Sequence, residues 1–240
     1  MVMKYKTIIL SDLHLGSKAS RTKDIIKFLN DNQCDNLFLN GDIIDGWSLK
    51  RGSKWKDGDT KIIRKILKMA EKGTKVIWIK GNHDDFLINY LTLSMGNISI
   101  KDYVKYQGID KRRYYIFHGD ILDVFSTKFS IIAKIGSIGY DFALWLNRWY
   151  NKYREFRGLK YYSLSKRIKD GVKAAVSYVG DFELRATNLA KDNDCDVAIC
   201  GHIHSPKLTK EYMNSGDWCE NCTALVEDKN GIWNIITMHN

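Results

Sequence analysis

Residues 5–14 read YKTIILSDLH. An apolar run rich in β-branched residues, Tyr5–Leu10, is the pattern of a buried strand. It stops abruptly at Ser11-Asp12-Leu13-His14, a polar cluster without glycine or proline. The same grammar recurs four times. LFLNGDIID spans residues 37–45, KVIWIKGNHD 75–84, YYIFHGD 114–120 and VAICGHIH 197–204. Each is a short strand-like run that ends in Asp, Asn or His, beside glycine in every repeat after the first. The expected strands are Tyr5–Leu10, Asn36–Leu39, Lys75–Ile79, Tyr114–Phe117 and Asp196–Cys200. Helices are expected between them: from an N-cap at Thr22 to about Asn32, from Asp59 or Thr60 to near Gly73, and over about Gly180–Asp192. Strands alternating with helices make βαβ units and an α/β fold. The tail from Lys207 reads as antiparallel strands, with turns at Asn214-Ser215-Gly216 and Lys229-Asn230-Gly231.

In an open α/β sheet the carboxyl ends of the strands converge on one crevice, where ligands bind. Five of the six histidines sit at such ends: His14, His83, His118, His202 and His204. Asp12, Asp42, Asp45 and Asn82 accompany them. Asp-x-His and His-x-His in extended backbone are expected to point both side chains to one face. A lone Asp-x-His or Gly-Asp is commonly only a cap or turn. All five clusters at strand ends, in one order, are hard to read as satisfied core groups. Carboxylate oxygens with imidazole nitrogens suit Mn, Fe, Zn, Co or Ni better than Ca or Mg. Asp12, His14, Asp42, Asn82, His118, His202 and His204 make seven ligands. If one Asp bridges, two ions receive four contacts each. Two divalent ions about 3.5–4 Å apart can activate a bridging water and clamp the attacking and leaving oxygens.

Outside these clusters the chain is ordinary in composition. Its 240 residues are 44% hydrophobic and 28% charged, with one proline and 18 glycines. That excludes a wholly disordered, collagen-like or Pro-rich chain. The net charge of +10 favours anionic partners: nucleic acid, anionic membrane or a phosphorylated substrate. The excess is concentrated, since residues 121–180 hold eleven Lys and Arg against four acids, and 12 of the 29 aromatic residues. This segment reads as a helical insertion, or cap, within a single domain spanning residues 1–240. No stretch is convincing as a membrane span, because Lys134 and Asp141 interrupt the apolar run Phe129–Leu146. Five cysteines, an odd number, and no secretory leader suggest free thiols in a reducing, intracellular setting. Cys219-x-x-Cys222 lacks the second pair a structural zinc needs.

The set Asp12-x-His14, Gly41-Asp42-x-x-Asp45, Gly81-Asn82-His83-Asp84, His118 and Gly201-His202-x-His204 resembles the calcineurin-like metallophosphoesterases. The resemblance covers nearly the whole chain. It implies a four-layer αββα sandwich with a dinuclear site, one ion on Asp12, His14, Asp42 and His204. The other would take Asp42, Asn82, His118 and His202, with Asp42 bridging. It also implies that His83 approaches the leaving oxygen and is steered by Asp45. Manganese is the expected metal, with Fe, Zn or Co as alternatives. Within the family, Ser11–Gly16, Gly41–Trp47, Asp217-Trp218 and the insertion are similar to UDP-2,3-diacylglucosamine pyrophosphohydrolase and its relatives. Those enzymes release UMP and lipid X in lipid A synthesis. One position departs: the best-studied branch carries Arg where this chain has His83.

Substrate choice is expected to lie in the insertion. Phe125, Phe129, Ile132, Ile135, Phe142, Leu146 and Trp149 recur at mostly helical spacing, and basic residues follow at once. Arg148, Trp149, Lys152, Arg154 and Arg157 are the candidate substrate contacts. An apolar face beside a basic, aromatic edge suits a lipid-linked nucleotide and peripheral contact with an anionic membrane from the cytoplasmic side. The alternative is a helical hairpin that packs on the core behind a solvated basic rim. Stacking on nucleic-acid bases also fits this composition, but no RNA- or DNA-binding module is recognisable. Three functions follow in order: a hydrolase of a lipid-linked nucleotide pyrophosphate, a phosphodiesterase or phosphatase on nucleotides or nucleic acid, and a non-catalytic scaffold.

Overall fold

The computed structural model describes residues 2–91, 93–123, 157 and 164–238, with 164–177 described as helical backbone. The chain divides into two compact units, one of Met1–Ile121 with Arg185–Asn240 and one of Leu122–Leu184.

The first unit holds two sheets. β1 (Met3–Leu10), β2 (Asn32–Asn40), β3 (Lys75–Ile79) and β5 (Ile98–Lys101) run parallel, and the two-residue β4 (Ser94–Met95) closes one edge antiparallel. At the other edge β11 (Thr223–Glu227) and β12 (Trp233–Thr237) return antiparallel, giving the order β12-β11-β1-β2-β3-β5-β4. The second sheet has the order β6-β7-β8-β10-β9, from β6 (Tyr103–Gln107), β7 (Arg113–Phe117), β8 (Val197–Cys200), β9 (Lys207–Leu208) and β10 (Tyr212–Asn214).

Period-two alternation explains the layers. Ile8 and Leu10 of β1, Leu37 and Leu39 of β2, and Val76 of β3 join one core with Ile25, Phe28, Leu29, Ile62 and Ile66. Those five come from α1 (Thr22–Asp31) and α3 (Asp57–Glu71), which cover the outer face; the short α2 (Gly46–Lys50) lies between them in the chain. The residues between, Ile9, Phe38, Ile77 and Ile79, join a second core with Tyr114, Ile116, Val197, Ile199 and Met213 of the other sheet. A parallel sheet buried on both faces needs such unbroken apolar runs. Ala186 and Ala190 of the long helix Leu164–Asp192 are fully buried as well. The architecture is the expected αββα sandwich.

Several local expectations need correction. Thr22 is the first helical residue, not the cap: Arg21 holds the cap position without a side-chain bond, and its N–H donates to the Trp218 carbonyl at 3.0 Å. The last helix begins at Leu164, well before Gly180. Asn214-Ser215-Gly216 is no hairpin turn. β10 pairs parallel with β8, and the chain then crosses to the other sheet as β11. The turn at 229–231 is a hairpin, joining β11 to β12. β4, β5 and β6 have no counterpart among the expected strands. None of the five cysteines is in a disulfide. Among the described residues, no helix is long and apolar enough to cross a membrane.

Candidate metal centre

The strands β1, β2 and β3 of one sheet and β7 and β8 of the other end beside one another. The Asn40 amide, at the end of β2, donates to the Phe117 carbonyl at the end of β7 at 3.1 Å. Gly201, just past β8, donates its N–H to the His118 carbonyl at 2.9 Å. Asp12 N–H donates to the Gly41 carbonyl at 3.1 Å, and His14 N–H to that of Asp42 at 2.9 Å. The loops are therefore laced together through main chain, and their side chains meet.

Extended backbone is not how they meet. Asp12, His14, Asp42, His202 and His204 all have positive φ, between 47° and 67°. Side chains other than glycine rarely adopt this left-handed region, and such strain persists where surrounding structure over-determines it. Here that structure is the lacing just described, with the His202 N–H donating to Asp12 Oδ2 at 3.0 Å. Glycines give the ligands room. A β-carbon on Gly41 would stand 2.3 Å from His118 Nδ1, and one on Gly81 would stand 2.3 Å from Asp42 Oδ1.

The distances suit metal coordination. Two ligands on one ion at about 2.0–2.2 Å stand roughly 3.0–3.4 Å apart. His204 Nε2 lies 3.2 Å from Asp12 Oδ1, and His118 Nε2 lies 3.3 Å from Asp42 Oδ2. His14 Nε2 is 3.9 Å from both carboxylates. Two groups of candidate ligands result, Asp12 with His14 and His204, and Asp42 with His118 and His202. Three buried atoms in this space have no hydrogen-bond partner: Asp12 Oδ1, Asn82 Oδ1 and His118 Nε2. Leaving such atoms unpartnered is costly unless something else satisfies them. His118 shows how the sequence arranges this. Its Nδ1 is 3.0 Å from the Asn40 carbonyl, which can only accept, so Nδ1 carries a proton and Nε2 is the atom that faces the centre. The donor set thus fits divalent ions.

A third group, His14 with Asp45 and His83, also has ligand spacing, but Asp45 is already engaged. It accepts from Ser48 N at 2.7 Å, from Ser48 Oγ at 2.6 Å and from His83 Nδ1 at 3.0 Å. Asp45 orients the two histidines on either side of it; its other oxygen lies 3.7 Å from His14 Nδ1.

Electrostatics follow from burial and these contacts. Burial pushes the Asp12 and Asp42 carboxyls up, yet the surrounding imidazoles hold both below the usual range: chiefly His204 for Asp12 and His118 for Asp42. Burial likewise pushes Asp45 up, while the nearby His14 imidazole and the hydrogen bonds from Ser48 and His83 bring it below that range. Burial opposes the charged form of His118, but Asp42 and then Asp12 override it and raise its pKa to about 10. The metal-free protein therefore favours a second proton, on His118 Nε2, at neutral pH, and an incoming ion must displace it. In that state the raised pKa stabilises the fold fully below the unfolded histidine value, near 6.5, and the contribution is lost as pH rises through about 10. Metal uptake at pH 7.5 is expected to release protons, and apparent affinity to rise with pH toward 10. Calorimetry in two buffers of different ionisation enthalpy measures the release, and identical heats in both would contradict this coupling.

The family model for calcineurin-like phosphoesterases matches residues 5–206, which include every residue of the centre. The chain belongs to that family. Its members are metal-dependent phosphoester hydrolases, and this phosphoesterase is an enzyme of that kind. No curated protein matches it in sequence. Similar solved structures include vacuolar protein sorting 29 from Cryptosporidium parvum, at 12% identity, covering 97% of this chain and 95% of that one, with a TM-score of 0.43. A single mutant of Vps29 from Entamoeba histolytica is 10% identical, with 97% and 99% coverage and a TM-score of 0.43.

Of the expected site residues of the phosphoesterase, Asp12, His14, Asp42, Asp45, Asn82, His83, His118, His202 and His204 come from five loops to this one place. Arg157 is exposed. Arg148, Trp149, Lys152 and Arg154 lie outside the described residues, as does the apolar series from Phe125 to Leu146. Sequence reasoning missed three supports. Asp84 accepts from Gly81 N at 2.6 Å, Ile43 N at 3.0 Å and Trp78 Nε1 at 3.2 Å; its place at the end of Gly81-Asn82-His83-Asp84 was the available signal. Asn40, before Gly41, fixes the His118 ring through its carbonyl. Asn221 donates to the His204 carbonyl at 2.9 Å and to Asp217 Oδ2 at 2.6 Å, tying the last ligand loop to the β10–β11 crossover. No sequence pattern marks Asn221.

Proposed function

We propose that the phosphoesterase uses two divalent ions to hydrolyse the pyrophosphate of a lipid-linked nucleotide, with UDP-2,3-diacylglucosamine as the first candidate. Asp12, His14, Asp42 and His204 would hold one ion, and Asp42, Asn82, His118 and His202 the other, manganese being the first metal to load. The observation that carries this reading is that three buried atoms without a hydrogen-bond partner, Asp12 Oδ1, Asn82 Oδ1 and His118 Nε2, belong to the loops that meet at Asp42.

When bound, the ions supply Lewis-acid charge and lower the pKa of coordinated water. The chain does the rest. Asp42 stands where both ligand groups meet, its Oδ2 towards His118 and His14 and its Oδ1 accepting the His83 N–H at 2.8 Å. Asp45 holds His83 through Nδ1, leaving Nε2, 4.0 Å from Asp42 Oδ2, to give a proton to the leaving oxygen. A net charge of +10, concentrated in the aromatic segment 121–180, supports an anionic, lipid-bearing substrate met at the inner face of a membrane.

The test is UMP release from UDP-2,3-diacylglucosamine by manganese-loaded protein in mild detergent. Release that requires the acyl chains supports the reading. Cleavage of short nucleotides or an aryl phosphodiester alone, indifferent to detergent, moves the protein to the second reading, a phosphodiesterase or phosphatase. That reading is favoured by His83, which stands where the best-known pyrophosphohydrolase branch has Arg. A scaffold without turnover is disfavoured by retention of all seven ligands together with His83.

A further inference from the structure

Two exposed aromatic rings lie on the loops that meet at His83. Trp47 lies in the first turn of α2, directly after the Gly-Asp motif. Its indole lies over the His83 imidazole, with ring centroids 4.2 Å apart and planes at 32°. Phe86, three residues after His83, lies against Gly46: a β-carbon there would stand 3.5 Å from the Phe86 ring. The same β-carbon would stand 2.9 Å from the His83 carbonyl, which accepts the Gly46 N–H at 3.0 Å. Glycine at 46 therefore lets the two loops approach closely, with Trp47 over the His83 ring and Phe86 against Gly46. Yet Trp47 is 41% exposed and Phe86 38%. A single exposed apolar side chain needs no explanation. Trp47 held over the proton donor, with Phe86 on the adjoining loop, offers an apolar face to whatever bears the leaving oxygen.

We propose that Trp47, with Phe86 beside it, is a platform that stacks a ring on the leaving side of the substrate, and so selects phosphoric esters and anhydrides whose departing group carries a ring close to the phosphate. The ring is a sugar or an aromatic, since both present a flat face to indole; a short alkyl group presents none. The inference rests on the reading of His83 as the group nearest the leaving oxygen. Trp47 is thus a specificity residue. The competing role is that of a wall that merely holds His83 in place, which would act on every substrate alike.

Two substrates separate these roles: uridine 5′-diphosphate esterified on its outer phosphate with benzyl or with ethyl. Each takes up one water and yields UMP plus the benzyl or ethyl phosphate. The nucleotide half is shared and the departing phosphates are alike in acidity, so the ratio of kcat/KM reports the ring. Wild type is expected to favour benzyl by about five- to tenfold, the range of one aromatic contact. Trp47→Ala should reduce that ratio to about one, leaving the ethyl substrate nearly unchanged, and Trp47→Phe should restore much of it. Equal loss on both substrates, or no preference in wild type, overturns the platform. If wild type cleaves neither, the pyrophosphate reading has failed while the platform is still decided by binding. Benzylphosphonate should then bind the metal-loaded protein several-fold more tightly than ethylphosphonate, and only with Trp47 present. Equal affinities would refute it. Melting temperature and metal content of the variants confirm that the fold and centre are intact.

Discussion

Asp42→Asn is expected to abolish turnover, lowering kcat by more than about 10³-fold, beyond the 10–100-fold typical of a residue that only supports a ligand. The reason is position. Asp42 Oδ2 lies within 4.0 Å of His14, His83 and His118, and so stands near a histidine side chain of each ligand group. Asparagine keeps the size and can keep the bond from the His83 N–H, but removes the charge that two cations would share. Metal content measured after dialysis should therefore fall from two ions to one or none. The metal-free fold should lose some stability, since the imidazoles that hold this carboxyl below its usual range lose their partner, so melting temperature is read beside metal content. A variant that retained two ions and appreciable turnover would remove Asp42 from the centre of the mechanism.

His83→Ala should separate chemistry from metal binding. Positioned proton transfer contributes about 10²–10⁴-fold, and kcat should drop by that order. Both ions should stay, because the donors of the two ligand groups do not include His83. Loss should be smaller for substrates whose leaving group needs no proton, such as nitrophenolate. Asp45→Asn should show a weaker version, about 10–100-fold, since it touches the centre only through His83 and His14. Loss of metal in step with activity would instead make His83 a ligand, in the group it forms with His14 and Asp45.

Much of this centre is legible in the amino-acid sequence, because its signals are local. Lys75–Ile79 is a strand to the residue, an apolar run between Gly73 and Gly81. Gly73, with φ of 98°, ends α3 as its position suggests. What is not legible depends on distant partners. The left-handed backbone at Asp12, His14, Asp42, His202 and His204 is imposed by hydrogen bonds from other loops, so the expected residues do converge, but not through the extended backbone that their spacing suggests. β5 and β6 escape notice because only Asp102 separates them, though they belong to different sheets, and because the exposed edge strand β6 alternates in burial without an apolar run. The turn at Asn214-Ser215-Gly216 has hairpin chemistry, but the Ser215 N–H donates to the Cys200 carbonyl at 3.0 Å and sends the chain across the sandwich.

The strand order has a temporal consequence. β1 lies between β2, next along the chain, and β11, some two hundred residues later. The ligands are divided in the same way: Asp12, His14, Asp42, Asn82 and His118 are made early, and His202 and His204 late. During synthesis, at about 5–20 residues per second, the nascent polypeptide carries an incomplete centre for several seconds, with the β11 side of β1 still open. Neither ligand group is complete before the segment that bears His202 and His204 has been made.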